Sequence, residues 1–225
     1  MVSSAVKKYA ALCMVCLCSS LFFLGLYQFN NKYSQNTIQA ANGILALSEE
    51  ELQKSPVRFL VSGWAFYPDA LLTPEEIQDE SHYMRYLSIG EHTNFSSPAN
   101  PSPYGCGTYQ MTFFLPERKE TYALEIPEVF SAYNLYLDHD LILQMGEPAQ
   151  GTPLVQNRMV TFYGGKPVTL TIAVSNYDHF YGGIVYPPAF GTMLAVNTTR
   201  GIRFAFCLFS CTVTFVCALL SFYFS

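Results

Sequence analysis

The chain has 225 residues and a net charge of −5, half of its residues are apolar and 16% are aromatic. All 17 acidic residues lie between Lys32 and Arg200, where only seven of the 12 basic residues are found. Such an acidic segment repels phosphate backbones, which excludes nucleic acid as a partner. Cys106 is the single cysteine between the apolar ends, so no disulfide framework is expected.

An uncharged apolar segment lies near each end of the chain. Residues 9–31 follow Lys7 and Lys8, and residues 204–225 follow two arginines. Each segment is long enough to cross a bilayer core of roughly 30 Å. The two lysines predict a cytoplasmic N-terminus, which places the middle of the chain outside the cell membrane. A cleaved signal peptide is the alternative for the first segment, but bulky residues and no nearby small-residue cleavage site favour an anchor.

The part between the two apolar segments begins with polar residues and short helix signals. Ser48 and Glu51 have the spacing of a capping box, and Thr73 with Pro74 predicts the start of a second short helix. Residues 59–65 predict a strand. Residues 90–103 are dense in Ser, Asn and Pro, which predicts a loop.

A run of strands broken by turns is predicted from residue 83 onward. Their composition is rich in β-branched and aromatic residues, and several alternate between apolar and polar positions. Asp138, His139 and Asp140 lie between two such segments and predict a hairpin turn. The predicted strands are residues 83–89, 108–115, 122–126, 133–137, 141–145, 158–163 and 168–175.

Several short strands with Gly and Pro turns and little helix indicate a mainly β fold, an antiparallel β-sandwich or jelly roll flanked by two transmembrane helices. The second apolar run ends the chain without a polar flank, so we expect the N-terminal part of a longer, multi-pass membrane protein, with a truncated gene product as the alternative. The predicted divisions are a cytoplasmic N-terminus and anchor at 1–31, a linker with a short helix at 32–56, an extracytoplasmic β domain at 57–195 and a second transmembrane helix at 200–225.

Five short motifs, taken in order, resemble the extracytoplasmic domain of bacterial seven-transmembrane receptors with diverse intracellular signalling modules. They are Gly63-Trp64-x-Phe66-Tyr67, Leu71-Leu72-Thr73-Pro74, Gly105-x-Gly107-Thr108-Tyr109, Ile126-Pro127-x4-Ala132-Tyr133-x-Leu135-Tyr136, and Ser175-Asn176-Tyr177-x-His179-x2-Gly182-Gly183 with the following Pro187-Pro188-x-Phe190-Gly191. The likeness covers residues 57–191. The family often has a Trp in the loop that corresponds to residues 90–95, and this chain has none there.

The resemblance implies a galactose-binding-like β jelly roll, related to the sugar-binding domains of family 2 glycoside hydrolases. It also implies that residue 204 begins the first of seven helices. A histidine kinase, diguanylate cyclase or phosphatase module would then follow in the complete protein.

Aromatic and polar side chains are the candidates for ligand binding, because sugar C–H faces pack on aromatic rings while polar groups bond the hydroxyls. The predicted ligand-binding residues are Trp64, Tyr67, Tyr104, Arg158, Asn176, Tyr177, His179 and Tyr181. The alternative for the aromatic residues is that they fill the sandwich core or cover its edges, and for Trp64 the core is the favoured position. The alternative for Asn176, Asp178 and His179 is that their side chains brace their own loop by bonding its backbone. That loop offers few of the oxygen ligands that calcium needs, so no metal and no cofactor are predicted.

Two patterns resemble catalytic groups. Asp138, His139 and Asp140 fit turn chemistry better, and Glu125 with Glu128 lacks any sign of the cleft that a glycosidase carboxylate pair needs. No nucleophile elbow, phosphate loop or dinucleotide fingerprint occurs. The sequence therefore predicts no catalytic residue, and the chain is expected not to be an enzyme.

The function that the sequence predicts is a sensory, ligand-binding domain of a bacterial membrane receptor. Its ligand would be a carbohydrate or another small molecule, and its signal would pass to a C-terminal membrane and cytoplasmic output module. The alternative is a structural or protein-interaction ectodomain without a ligand. The expected partners are the lipid bilayer, the small molecule and, as a further option, a second copy of the chain in a homodimer.

Overall fold

The computed structural model describes residues 4–33, 37–79, 82–90, 95, 102–117 and 120–223. Two compact units make up the chain, Met1–Gln35 and Asn36–Ser225. The first unit holds one helix, α1 (Ser4–Asn30). The predicted loop at residues 90–103 lies largely outside the described residues.

The second unit is built mainly from short β-strands. Its helices are α2 (Glu49–Lys54), α3 (Pro74–Asp79) and α4 (Met193–Tyr223). The strands are β1 (Ile44–Ala46), β2 (Val57–Phe59), β3 (Trp64–Pro68), β4 (Arg85–Leu87), β5 (Gly105–Phe114), β6 (Thr121–Ile126), β7 (Ala132–Leu137), β8 (Asp140–Met145), β9 (Arg158–Tyr163), β10 (Val168–Asn176) and β11 (Ala189–Thr192).

The strands form two sheets. The larger sheet has seven strands in the order β4-β3-β5-β10-β7-β8, with β1 running parallel beside β5. The smaller sheet has four strands in the order β2-β11-β6-β9. All the other strand pairs are antiparallel, which confirms the predicted mainly antiparallel β fold.

The hydrophobic core lies between the two sheets. Leu170, Ile172 and Val174 of β10 are buried as the alternation predicts. The ring of Phe113 in the larger sheet stacks on that of Phe190 in the smaller one, with centroids 4.9 Å apart. The two sheets therefore pack face to face as a sandwich.

The short helices begin where the sequence predicts. Ser48 Oγ accepts from Glu51 N–H at 3.3 Å while Glu51 Oε2 accepts from Ser48 N–H at 2.6 Å, which completes the capping box of α2. Asp138 has a positive φ of 54° in the β7–β8 hairpin, as the Asp-His-Asp pattern predicts.

Two predicted elements differ from those observed. Residues 59–65 are not one strand, because the chain bends at 60–63 between β2 and β3, and Gly63 takes a φ of +80° there. Helix α4 starts at Met193, well before the uncharged run, because Thr192 Oγ1 accepts from Ala195 N–H and caps it.

Segments of α1 and α4 are long and apolar enough to cross a membrane. They span Val6–Gln28 with 23 residues and Met193–Val216 with 24 residues. A signal sequence meets the same criteria near an N-terminus, so the anchor and the signal peptide both fit α1.

Candidate functional site

Most of the predicted ligand residues lie toward one end of the sandwich, which we call the lower end. Strand β10 stops there at Asn176, and β11 starts there at Ala189. The register pairs Ser175 with Ala132 at the start of β7, and Ala189 with Glu125 near the end of β6. Loops 127–131 and 177–188 therefore meet at the lower end.

His179 and Tyr181 belong to an aromatic cluster at the lower end. The ring of His179 stacks on that of Phe130, with centroids 4.7 Å apart and an interplanar angle of 11°. Tyr181 lies 5.9 Å from Phe130 and 3.9 Å from Phe180, centroid to centroid. Tyr186 approaches the edge of Phe130 at 6.5 Å. We call these five residues the aromatic end cluster.

Sequence reasoning missed three members of this cluster. Phe130 lies in the separate loop 127–131, which only the sheet register brings to this place, and Tyr186 lies further along loop 177–188. Phe180 stood next to Tyr181 in the same loop, so its adjacency was a signal that could have been used.

Asn176 braces the loop that carries the cluster. Its fully buried carboxamide donates from Nδ2 to the carbonyl of Pro103 at 2.8 Å and to that of His179. Its Oδ1 accepts from His179 N–H at 3.1 Å. This arrangement matches the loop-bracing alternative for Asn176. His179 Nδ1 accepts from Tyr181 N–H at 3.1 Å, which places the proton of the neutral ring on Nε2.

Trp64 lies in the core, which corrects its placement among the ligand residues. Its side chain is 0% exposed and packs edge to face against Tyr109. The indole Nε1 donates to the carbonyl of Leu60 at 3.0 Å. A ring without an exposed face has nothing to stack on a ligand, and its single polar atom already has a partner.

Three further predicted residues lie apart from the cluster. Tyr67 contacts His82 edge to face at 6.5 Å, and burial raises the pKa of its hydroxyl. Tyr104 is exposed, and its backbone N–H and carbonyl both bond the hydroxyl of Ser102. Arg158 packs its Nε 3.5 Å from Met145 Sδ and so joins the edges of the two sheets.

Tyr177 packs against the turn at residues 147–152, which forms one side of the groove described next. Its ring lies against Gly151, where an added Cβ would overlap it. Ser175 Oγ donates to the carbonyl of Pro148 in the same turn. Tyr177 and Ser175 together hold the 147–152 turn against the end of β10.

The groove runs across the outer face of the larger sheet and has a volume of about 290 Å³. Its central residues are carried by β7 and β10, between the segment that contains α3 and the turn after β8. The groove is lined by Leu71, Leu72, Thr73, Glu76, Asn134, Tyr136, Gln144, Glu147, Pro148, Ala149 and Ala173. None of these was among the ligand residues predicted from the sequence.

The sheet register explains the depth and polarity of the groove. Gln144, Asn134 and Ala173 lie directly opposite one another on β8, β7 and β10. Ala173 is small, which leaves space above the sheet, and its two neighbours carry carboxamides. Asn134 Oδ1 is buried and has no hydrogen-bond partner among the described residues. An unpaired buried acceptor is costly, so the groove holds a site where a donor would be favourable.

A strap of residues 69–79 forms one side of the groove and is fixed at both ends. Thr108 Oγ1 donates to the carbonyl of Ala70 at 2.8 Å and accepts from Leu72 N–H at 2.9 Å. At the other end, Glu75 Oε1 lies 2.8 Å from Nδ1 of His139 in the β7–β8 hairpin.

The groove is acidic. Glu76 Oε2 accepts from Thr73 N–H at 2.7 Å, and this hydrogen bond lowers the pKa of the carboxyl. Glu147 adds a second carboxyl, and no Lys or Arg is among the lining residues. The arrangement favours neutral or cationic ligands over anions.

A second cavity of about 320 Å³ lies beside the buried Arg58. The guanidinium donates to the carbonyls of Glu51 and Ser55, both at 3.1 Å, and to that of Ile38 at 3.4 Å. Burial lowers the pKa of this arginine. Because its donors go to the backbone around the end of α2, Arg58 has a structural task there. Among the described residues, no three His, Cys, Asp or Glu side chains are placed to hold a metal.

No protein-family model matches the chain, and no curated protein matches it in sequence. Solved structures similar to it include a family 2 β-galacturonidase from Eisenbergiella tayi, at 14% identity and a TM-score of 0.43, covering 60% of this chain and 24% of that one. A Faecalibacterium prausnitzii β-glucuronidase has 17% identity and a TM-score of 0.43, covering 61% and 32%. A glycosyl hydrolase family 2 member from Bacteroides cellulosilyticus has 12% identity and a TM-score of 0.48, covering 61% and 20%.

These comparisons correct one prediction. The sequence indicated that the protein is not an enzyme, and the similar structures are of family 2 glycosidases, so that prediction is contradicted and is not kept. The chain spans between 20% and 32% of the length of these three proteins.

Proposed function

We propose that the sandwich is the extracytoplasmic ligand-binding domain of a membrane protein, with a neutral carbohydrate or similar polyol as its ligand in the groove. The observation that carries the proposal is the groove itself, where Asn134 and Gln144 lie side by side next to Tyr136. Its volume is near the lower limit of roughly 300 Å³ for small-molecule sites, which suits a monosaccharide.

The chemistry of the groove matches a polyhydroxylated ligand. Each sugar hydroxyl can both donate and accept, and the buried Oδ1 of Asn134 requires a donor. Gln144 supplies a further amide, and the carboxylates of Glu76 and Glu147 accept from hydroxyls. Tyr136 offers an aromatic ring for the C–H face of a sugar. The two carboxylates disfavour uronic acids and phosphorylated sugars.

We further propose a sensory role, because the groove is connected to α4 along the chain. Strand β10, which carries Ala173, continues through the lower loop 177–188 into β11 and α4. A ligand can shift α4 only if it binds two arrangements of these elements with different affinities. A galactose-binding-like jelly roll, an outward-facing domain and a homodimer belong to the same proposal, and the motif resemblance supports it.

The experiment is a thermal unfolding assay on the full chain in lipid nanodiscs, with neutral monosaccharides, amino sugars and uronic acids. A ligand at 100 times its Kd stabilises the folded state by about 2.7 kcal/mol, which gives a measurable rise in Tm. We expect a neutral sugar to raise Tm, and Tyr136→Ala and Asn134→Ala to abolish the rise. Tyr163→Ala is the matched control, because Tyr163 is an exposed tyrosine on the other sheet.

The outcomes separate the candidate sites. A rise in Tm that survives Tyr136→Ala but is lost in Tyr181→Ala would move the ligand to the aromatic end cluster. Cooperative unfolding with no response to any sugar would overturn the carbohydrate proposal. The structural or protein-interaction ectodomain would then be the better account.

A further inference from the structure

The direction of α4 shows which end of the sandwich faces the membrane. The helix packs on β11, β6 and β2, and its own residue Val196 is buried. Arg203 places its guanidinium over the ring of Phe59, 5.1 Å from the centroid. Phe59 pairs with Ala189, the first residue of β11, whereas the helix starts directly after Thr192, the last. The helix therefore runs back along β11, and residues after Arg203 project beyond the lower end.

The length of α4 beyond Arg203 fits a membrane crossing. Residues 204–223 are uncharged, and at 1.5 Å per residue they extend about 30 Å, the thickness of a bilayer core. Arg200 and Arg203 then lie at the headgroup level. Since Arg203 lies at the level where β2 ends, the loops of the lower end lie beside the point where α4 enters the bilayer.

The aromatic end cluster lies on these loops. Phe180 is 62% exposed, although the loop that carries it is held firmly. Asn176 braces the loop from inside, and the stack of His179 on Phe130 fixes the residue before Phe180. Gly183 N–H donates to Ser131 Oγ at 3.1 Å and joins the same loop to loop 127–131. A rigid loop thus presents an exposed aromatic ring.

We propose that the aromatic end cluster contacts the lipid bilayer that α4 enters, with Phe180 and Tyr181 at the boundary between headgroups and acyl chains. Aromatic side chains concentrate at this boundary because their rings are apolar while their tips or edges accept polar neighbours. This proposal depends on α4 being a membrane span and does not depend on any ligand in the groove.

Exposed carboxylates flank the aromatic end cluster on both of its loops. Asp178 and Glu128 are exposed on the same loops, so an anionic surface would repel them. Arg200 and Arg203 at the headgroup level carry the opposite charge, so these four groups together set no preference between zwitterionic and anionic lipid. The carboxylates of Asp178 and Glu128 also limit how deeply the aromatic rings enter the bilayer, because these groups stay in water.

The test places tryptophan probes in the full chain, reconstituted in phosphatidylcholine vesicles that contain lipid brominated near the headgroup end of the acyl chain. Phe180→Trp tests the cluster. Leu208→Trp reports whether α4 is in the bilayer, and Tyr163→Trp, on the opposite end of β9, reports a water-exposed position. Trp64 supplies a constant buried background in every variant.

We expect brominated lipid to quench the probes at 208 and 180, and aqueous acrylamide to quench mainly the probe at 163. The proposal is overturned if brominated lipid quenches the tryptophan at position 208 but not the one at position 180. The tryptophan at 180 would then be quenched by acrylamide, like the water-exposed one at position 163. If brominated lipid does not quench the tryptophan at position 208, the proposal is overturned too, because α4 is then not in the bilayer. Tyr181→Trp gives a second reading if Phe180→Trp does not fold.

Discussion

Glu75 and His139 lie 2.8 Å apart, Oε1 to Nδ1, and this contact joins α3 to the turn of the β7–β8 hairpin. It holds the far end of the strap that walls the groove. Both side chains are more than half exposed, so the contact is a modest one that solvent screens.

Acid should loosen the strap. The pKa of Glu75 is lowered, first by a hydrogen bond to its own backbone N–H and then by His139. A lowered pKa means that the carboxylate stabilises the fold above its ordinary pKa of 4.5 and loses this effect as the pH falls through the lowered value. We expect Glu75→Gln to lower Tm slightly at pH 7, and the difference from wild type to shrink as the pH falls below 4.5. Thermal unfolding between pH 3 and pH 7 checks this expectation, and Glu128→Gln is the control at an exposed carboxylate. Parallel curves of Tm against pH for wild type and Glu75→Gln would contradict it.

The single tryptophan should report a dry core. Trp64 is fully buried, so its emission should be blue-shifted and resist acrylamide until the chain unfolds. Ligands that bind in the groove should stabilise the chain without quenching this emission. Efficient acrylamide quenching in the folded chain would contradict the place of Trp64 in the core.

Two buried polar aromatic residues should respond with opposite signs to replacement by phenylalanine. Trp64→Phe removes a donor to Leu60 and leaves a void, which should cost about 2–4 kcal/mol. The hydroxyl of Tyr133 has no hydrogen-bond partner among the described residues, and burial raises its pKa to about 12. Tyr133→Phe should therefore be neutral or stabilise by up to about 1 kcal/mol. Urea unfolding measures both, and a clear loss of stability in Tyr133→Phe would show that the hydroxyl has a partner.

A side chain added at position 151 should be tolerated less well than one added at position 165. Both have positive φ, +71° and +105°, so alanine is strained by roughly 1–2 kcal/mol at either position. An added Cβ meets open space at Gly165 but the ring of Tyr177 at Gly151. We expect Gly151→Ala to cost more than Gly165→Ala. The excess should shrink when Gly151→Ala is combined with Tyr177→Ala, and additive costs in that double-mutant cycle would disprove the contact.

Asn176 should be intolerant of a carboxylate. Its Nδ2 donates to two carbonyls, and an aspartate oxygen there would face them as a buried charge. Asn176→Asp should destabilise by about 3 kcal/mol or more and Asn176→Ala by about 1–3 kcal/mol. Urea unfolding at pH 7 gives the order. Equal stability of the two variants would mean that the loop rearranges around position 176.

Much of the fold could be read from the sequence because its signals are local. The alternation in β10 predicted its core face, the two Ser/Thr caps predicted α2 and α3, and the Asp-His-Asp turn predicted the hairpin. Strand β1 was missed, because three residues give no alternation and its partner β5 lies far along the chain. The bend at 60–63 depends on packing of Gly63 against Ala40, which is also a non-local contact.

The groove could not be predicted, and the reason is geometric. Asn134 and Gln144 look like ordinary outward-facing polar residues, and Ala173 looks like an ordinary small one. Only the register of β8, β7 and β10 sets them in one row. Trp64 was predicted to bind ligand as an aromatic residue, yet its size favours the core, and its indole donates to the carbonyl of Leu60 four residues away.

Strand β11 continues directly into α4, so a tilt of the sandwich is passed on to the helix. Thr192 ends the strand and Met193 begins the helix, with no residue between them to absorb a rotation. The pivot lies near Arg203, and the arm beyond it is about 30 Å long. A tilt of about 5° in the sandwich would therefore displace the far end of α4 by about 3 Å, half the pitch of a helix. If α4 crosses the bilayer as proposed, its packing on β11, β6 and β2 would set how much of a ligand-induced tilt reaches the far end of the helix.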